Sequence, residues 1–299
     1  MSFRNVQRKE TDMKKVYPVE NHAESYLPGG TKWKLVWNDE FDGSVLDESK
    51  WNFRLTFWGE RSPTFTDEGV NLDGDSHMKI ELIRDGDSFR SAHLQTGSLT
   101  FDMPEDKNNT SIWPFGKNLP MKFMHKFGYY EIRCRLPKHP GWHAAFWLQS
   151  PCIGAHPDPA VAGVECDIME NYRQHTDGEI ICGCGWGGYG EDSRWYGHFA
   201  FPYEETNDGW HYYGVHWRPD GYIFYADGME VGRSMAPECA VSHIEQFLLV
   251  STECHGYRRR FTGAGGAGDT KFAGEPVPEL YDAYPDCFEV DFVRVFDEV

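Results

Sequence analysis

From Phe127 to Leu136, the apolar side chains Tyr130, Ile132, Cys134 and Leu136 alternate with Tyr129, Glu131, Arg133 and Arg135. A period of two is that of a strand with one buried face. The same signature predicts strands over 33–38, 77–84, 92–101, 143–150, 164–171, 178–186, 211–218, 222–225, 246–253 and 287–297. Asp227-Gly228, between Tyr222–Tyr225 and Met229-Glu230-Val231, is a strong two-residue hairpin signal. A helical period shows only around Ala236 to Phe247, enough for one or two turns. Many short strands joined by Gly and Pro turns, with almost no helix, predict an all-β sandwich or barrel.

Composition narrows the partners. The chain has 299 residues, 29 basic and 47 acidic, a net charge of −18. Such a surface repels phosphate backbones, and Arg258-Arg259-Arg260 is too short a basic run to overcome it, so no nucleic acid partner is expected. No stretch approaches the roughly 20 apolar residues of a spanning helix, so no membrane partner is expected either. Residues 1–30 are polar with no apolar signal core, and they read as an extension before one domain over 31–299. They predict either an intracellular protein or a mature form whose signal was removed. Eight scattered cysteines in a chain of this size predict buried free thiols, and their spacing suggests no zinc site. The chain is expected to act as a monomer. Two long loops, 102–120 and 256–286, interrupt the strand pattern and carry Asn108-Asn109-Thr110-Ser111 and a glycine run over 263–268. The first is read as a chance glycosylation match, and the second has neither the strand nor the helix of a phosphate loop.

The densest chemistry is Glu165-Cys166-Asp167-Ile168-Met169-Glu170. In a regular strand Glu165 and Asp167 share a face and Glu170 points away from it. One extra residue near Ile168-Met169, a β-bulge, would rotate Glu170 back beside them. Two carboxyls on one face, brought to roughly 5–5.5 Å, are the machinery of a retaining glycosidase. Glu165 would then be the nucleophile and Glu170 the general acid and later base. Asp167, lying between them, could hold a proton that keeps Glu165 poised. On spacing alone, a solvated acidic strand edge also fits these residues.

The segment resembles the Glu-x-Asp-x-x-Glu signature of glycoside hydrolase family 16, in the bulged branch of laminarinases, agarases, porphyranases and carrageenases. Trp37-Asn38-Asp39-Glu40-Phe41-Asp42-Gly43 with Asp47 and Trp51 is similar to the family's N-terminal block. Gly128–Pro137, Trp210–Trp217, the Asp227-Gly228 hairpin and Val290–Phe296 follow in the family's order. The resemblance covers roughly 33–297. It implies a β-jelly roll of two antiparallel sheets, of the concanavalin A-like kind, with a concave cleft, and retaining endo-cleavage of a β-linked polysaccharide. The substrate would be a β-1,3 or mixed-linkage glucan or a red-algal galactan. No cofactor is implied for the chemistry, although members often carry one structural calcium, to which Glu40 or Asp291 could contribute oxygens.

The chain departs from the family where many laminarinases have Trp-Pro-Ala-x-Trp. Here His143-Ala144-Ala145-Phe146-Trp147 puts His143 at the first Trp position. Alternation sets His143, Ala145 and Trp147 on one face and Trp142, Ala144, Phe146 and Leu148 on the other. Trp147 could stack on a sugar, and His143 could bind a hydroxyl or be an ordinary strand histidine. Trp142 joins them as a candidate substrate contact. Ser251-Thr252-Glu253-Cys254-His255 resembles a Thr-Glu segment of agarase-like members, which implies that Glu253 and His255 meet sugar hydroxyls. Arg258 could fork onto a sulfated or anhydro sugar, although it could equally be a solubilising rim. The same residues would serve a transglycosylase, and the same fold could serve a non-catalytic carbohydrate-binding domain.

Overall fold

The structure, a computed structural model, describes residues 14–57, 60–61, 64–97, 121–138, 142–171, 179–188, 191–202, 206, 208–254 and 284–299. In chain order its strands are β1 Lys15–Tyr17, β2 Ser25–Leu27, β3 Trp33–Asp39, β4 Asn52–Phe53, β5 Thr56–Phe57, β6 Glu60–Arg61 and β7 Phe65–Thr66. There follow β8 Val70–Leu72, β9 Met78–Glu81, β10 Ile83–Asp85, β11 Ser88–Gln95, β12 Gly128–Arg135, β13 Trp142–Gln149 and β14 Glu165–Asn171. The last seven are β15 Glu179–Trp186, β16 Arg194–Pro202, β17 His211–Arg218, β18 Gly221–Ala226, β19 Met229–Met235, β20 Phe247–Cys254 and β21 Cys287–Glu298.

Most of them form the two sheets of a jelly roll, while β1-β2 and β5-β6 are separate two-stranded pairs. The first runs β10-β11-β20-β13-β14-β15-β16, and the second β19-β18-β17-β12-β21-β9-β8 with β3 also on β21. Between them, Ala144, Phe146 and Leu148 of β13 and Leu248 and Val250 of β20 meet Tyr130, Ile132, Val215 and Val293 from the second sheet in one buried core. Alternation leaves the opposite faces of β13, β14 and β20 on the outside of the first sheet, where the acids lie. The β18–β19 hairpin turns at Asp227 and Gly228 with φ of 49° and 75°. Positive φ at both central residues is what this tight turn demands, which is why Asp-Gly occupies it.

Ala236 to Phe247 is not helical. Here Ser242 Oγ donates to Ile244 O at 3.2 Å, Ser242 N donates to Tyr222 Oη at 3.0 Å, and Trp217 Nε1 donates to Ser242 O at 3.2 Å. These bonds take the backbone groups a helix would need. The one described helix is instead Pro159–Ala162, capped by Asp158, whose side chain accepts from Ala160 N.

Residues 14–30 pack on the second sheet. Leu27 joins Trp33, Tyr129 and Phe296 in a cluster on its outer face. Arg294, fully buried, donates to Ala23 O and Ser25 Oγ at 2.8 Å each, and Tyr26 N donates to Glu131 Oε1 at 2.9 Å. Burial pushes the Glu131 carboxyl up to about 8, against the hydrogen bonds from Ser25 and Tyr26 and the charge of Arg294.

Candidate active site

The bulge expected at Ile168-Met169 is present. On one side of β14, Phe146 faces Met169 and the next residue, Trp147, faces Asp167, so Ile168 has no partner. On the other side, Asp167 faces Gly183 and Glu170 faces Ile181, so Cys182 alone spans Ile168 and Met169. Cys166, Ile168 and Met169 all enter the core. Two consecutive residues therefore bury together, and the period of two resumes with Glu170 on the face of Glu165 and Asp167.

Each acid has a different environment. Glu165 is half-buried, and its Oε2 accepts from Gln149 Nε2 at 2.9 Å. The Gln149 amide is oriented in turn by Ser150 N, which donates to its Oε1 at 2.9 Å. Asp167 is buried, and its carboxyl is held well above the usual range, first by burial and then by the charges of Glu170, Glu165 and Glu253. It lies between the two glutamates along the strand. Glu170 Oε1 lies 3.4 Å from His143 Nε2.

His143 continues this arrangement across the sheet. Its Nδ1 is 3.7 Å from Glu253 Oε2, and Glu253 Oε1 is 3.8 Å from His93 Nδ1 on β11. These separations are longer than an ideal hydrogen bond. Burial disfavours a charged His143, but the hydrogen bonding and charge of Glu170 and Glu253 outweigh it and push the ring up to about 9. His93, by contrast, is held well below its ordinary value by burial and by the nearby Arg54, with the Glu253 carboxylate pulling the other way. The row therefore reads Glu170, imidazolium, Glu253, neutral imidazole.

Trp147 sits on the acid face, but only 9% of it is exposed. Its Nε1 donates to Ser251 Oγ at 3.0 Å, its ring meets the edge of His93 at 5.8 Å, and the Arg54 guanidinium lies 5.8 Å from the ring centre. Ala145, Ile153, Phe247 and Leu249 complete a small cluster around it. Here the indole is packing more than open platform. Trp142 opens β13 opposite Cys254, with its side chain outside the described residues. His255, Arg258 and the two long loops likewise lie outside them.

Gln149, His93 and Arg54 were not singled out in the sequence. Gln149 could have been found by carrying the His143-Ala145-Trp147 period one step further, and His93 by noting that Ala92 and Leu94 alternate around it. Nothing local to Arg54 places it near Trp147.

The carboxylates suggested for calcium are otherwise engaged. Arg294 forks onto Glu40, Nε to Oε1 at 2.8 Å and Nη2 to Oε2 at 2.6 Å, and Arg133 pairs with Asp291. An ion bound there would have to displace a buried guanidinium, so these two residues do not fit the role in this arrangement. Among the described residues, no group of three or more His, Cys, Asp or Glu is placed to hold a metal ion, and no helix is long and apolar enough to cross a membrane.

Residues 76–244 match the family Glycosyl hydrolases family 16. The chain is 29% identical over 284 residues to Glucan endo-1,3-beta-glucosidase A1 of Niallia circulans, covering 88% of this chain and 38% of that protein. It is 25% identical over 258 residues to Beta-porphyranase B of Zobellia galactanivorans, covering 75% of each. The laminarinase catalytic domain from Thermotoga maritima MSB8 superposes with a TM-score of 0.61 at 23% identity, covering 89% of this chain and 99% of that one, which is a likeness of fold.

Proposed function

The chain belongs to glycosyl hydrolase family 16, and we propose that it is a retaining endo-glycosidase acting on a β-linked polysaccharide, with a β-1,3-linked glucan first among its substrates and a red-algal galactan second. The observation that carries this reading is the bulge at Ile168, which brings Glu165, Asp167 and Glu170 onto one face. Glu165, steadied by Gln149, attacks the anomeric carbon while Glu170 protonates the departing oxygen, and a covalent glycosyl-enzyme forms. Glu170, now a carboxylate beside the His143 imidazolium, then takes a proton from the incoming water, which releases the sugar from Glu165. Asp167, whose carboxyl is held well above the usual range by burial and its acidic neighbours, can hold a proton between the two glutamates as charge shifts along the strand. The reaction uses carboxylates alone and needs no cofactor.

The glucan preference draws on the Niallia relative, of which the chain spans only 38%, and the galactan alternative draws on the porphyranase. A panel of laminarin, mixed-linkage glucan, agarose, porphyran and carrageenan, read by new reducing ends and oligosaccharide profile, tests both. Laminarin is expected to be cut internally, and proton NMR of the first product should show the β-anomer. An inverted product would overturn Glu165 as nucleophile, and binding without cleavage anywhere on the panel would favour a carbohydrate-binding domain.

A further inference from the structure

On the far side of β14 from His143, the outer face of the first sheet carries a large ring open to solvent. Trp195 is 54% exposed on β16, the last strand of the sheet. The register places it in the row of the proposed nucleophile, since Glu165 faces Gly185 and Gly185 faces Trp195. Cys182 and Cys184 of β15 enter the core, so Gly185 lies on the opposite, outer face with Glu165. Two strand spacings of ~4.8 Å put the Trp195 backbone about 10 Å from that of Glu165.

The indole leans back over this gap. A Cβ built on Gly185 would stand 2.7 Å from Cη2, 2.8 Å from Cζ3 and 2.9 Å from Cε3 of Trp195, so the six-membered ring rests on the glycine backbone. Its Nε1 donates to Ser193 Oγ at 3.1 Å, which holds the ring at its other end. A side chain at 185 would lift the indole off the sheet. The absence of one lets a flat apolar face lie beside the nucleophile with its polar edge already satisfied. Such a face suits the C–H side of a pyranose, whose hydroxyls stay in water while the ring is covered.

We propose that Trp195, floored by Gly185, is a stacking subsite for a pyranose of the polysaccharide, next along the sheet from the sugar that Glu165 attacks. This rests on the hydrolase reading above. The test compares wild type, Trp195→Ala and Trp195→Phe on whichever panel polysaccharide wild type cleaves fastest. Losing one aromatic contact should raise KM roughly tenfold in the alanine variant. The phenylalanine variant should recover most of that loss, kcat should fall far less than KM rises, and the lengths of the released oligosaccharides should shift. Calorimetric titration of laminari-oligosaccharides into Glu165→Gln, with and without Trp195→Ala, should show the same loss of affinity. An unchanged KM and product ladder in Trp195→Ala would overturn the subsite, and so would a loss confined to kcat. Full activity in Glu165→Gln alone would overturn the hydrolase reading instead.

Discussion

The two flanks of β14 are built in opposite ways. Toward β13, β20 and β11 the outer face is filled, since His143, Glu253, His93, Ser251, Trp147 and Arg54 are all buried and hold one another. Toward β15 and β16 it is bare of side chains at Gly183 and Gly185, both buried on the outer face of one strand, with the open indole of Trp195 on the next. The filled flank concentrates charge in a dry setting, where neighbours decide who carries a proton. The bare flank leaves room for the indole to lie flat, with its exposed face turned to a ligand. Substitutions on the first should therefore disturb protonation and kcat, and those on the second should disturb binding.

The largest effects belong to the strand both flanks share. Glu165→Gln should abolish turnover with the thermal melt unchanged, and Glu170→Gln should lower kcat by roughly 10²–10⁴, the usual worth of a general acid. Wild-type-like rates in either would end the assignment. His143→Ala, the sharpest probe of the filled flank, should cost roughly tenfold or more in kcat, because Glu170 and Glu253 would face each other without the imidazolium. Its stability has a sign. The folded ring titrates at about 9 against an ordinary 6.5, so its contribution is fully present below pH 6.5 and lost as pH rises through about 9. The Tm gap between wild type and His143→Ala should be widest at acid pH and close on the alkaline side. A gap independent of pH would mean that the ring acts only by packing.

Asp167→Asn should have a smaller effect on rate, roughly tenfold, since Asn keeps a donor but cannot pass a proton. Asp167 is held well above 3.8 in the folded chain. Its contribution to stability is therefore present below about pH 3.8 and lost as pH rises through the folded value, when a buried carboxylate must form among other acids. Thermal melts should show the variant gaining on wild type as pH rises, and a widening deficit at high pH would contradict an upward-shifted Asp167.

Much of this was legible from residue spacing. Glu165-x-Asp167-x-x-Glu170 cannot keep its acids on one face without a bulge, and the apolar Ile168-Met169 pair marks where the extra residue goes. The order of the sheets and the charge row were not legible, because His93, His143 and Glu253 meet only through the register of three strands distant in sequence. The strand β16 was missed for a local reason. Its register slips where β15 passes from Cys182 to Cys184, and Gly197 sits at φ 71°, so no simple period runs through Arg194–Pro202. The strands β1 and β2 are three residues each, too short for a period to show; β1 pairs with β2, and β2 is held by Arg294 and Glu131 from the far end and middle of the chain.

The mildest expected change tests the bare flank without touching its ring. Gly185→Ala adds one methyl where the indole of Trp195 already lies within 2.7 to 2.9 Å. A real Cβ does not tolerate that approach, and Trp195 is the neighbour free to move, being half exposed on an edge strand and fixed at its tip by Ser193. The ring should tilt away from the sheet, which keeps its area but spoils its alignment with Glu165. KM should rise a few-fold, less than the roughly tenfold expected on removing the ring, with kcat and its pH dependence unchanged because no group of the filled flank is altered. Combining Gly185→Ala with Trp195→Ala should then add nothing to KM beyond the tryptophan variant alone, since the methyl acts only through the ring. An additive rise would mean that the glycine backbone, and not the indole above it, is the surface the sugar meets.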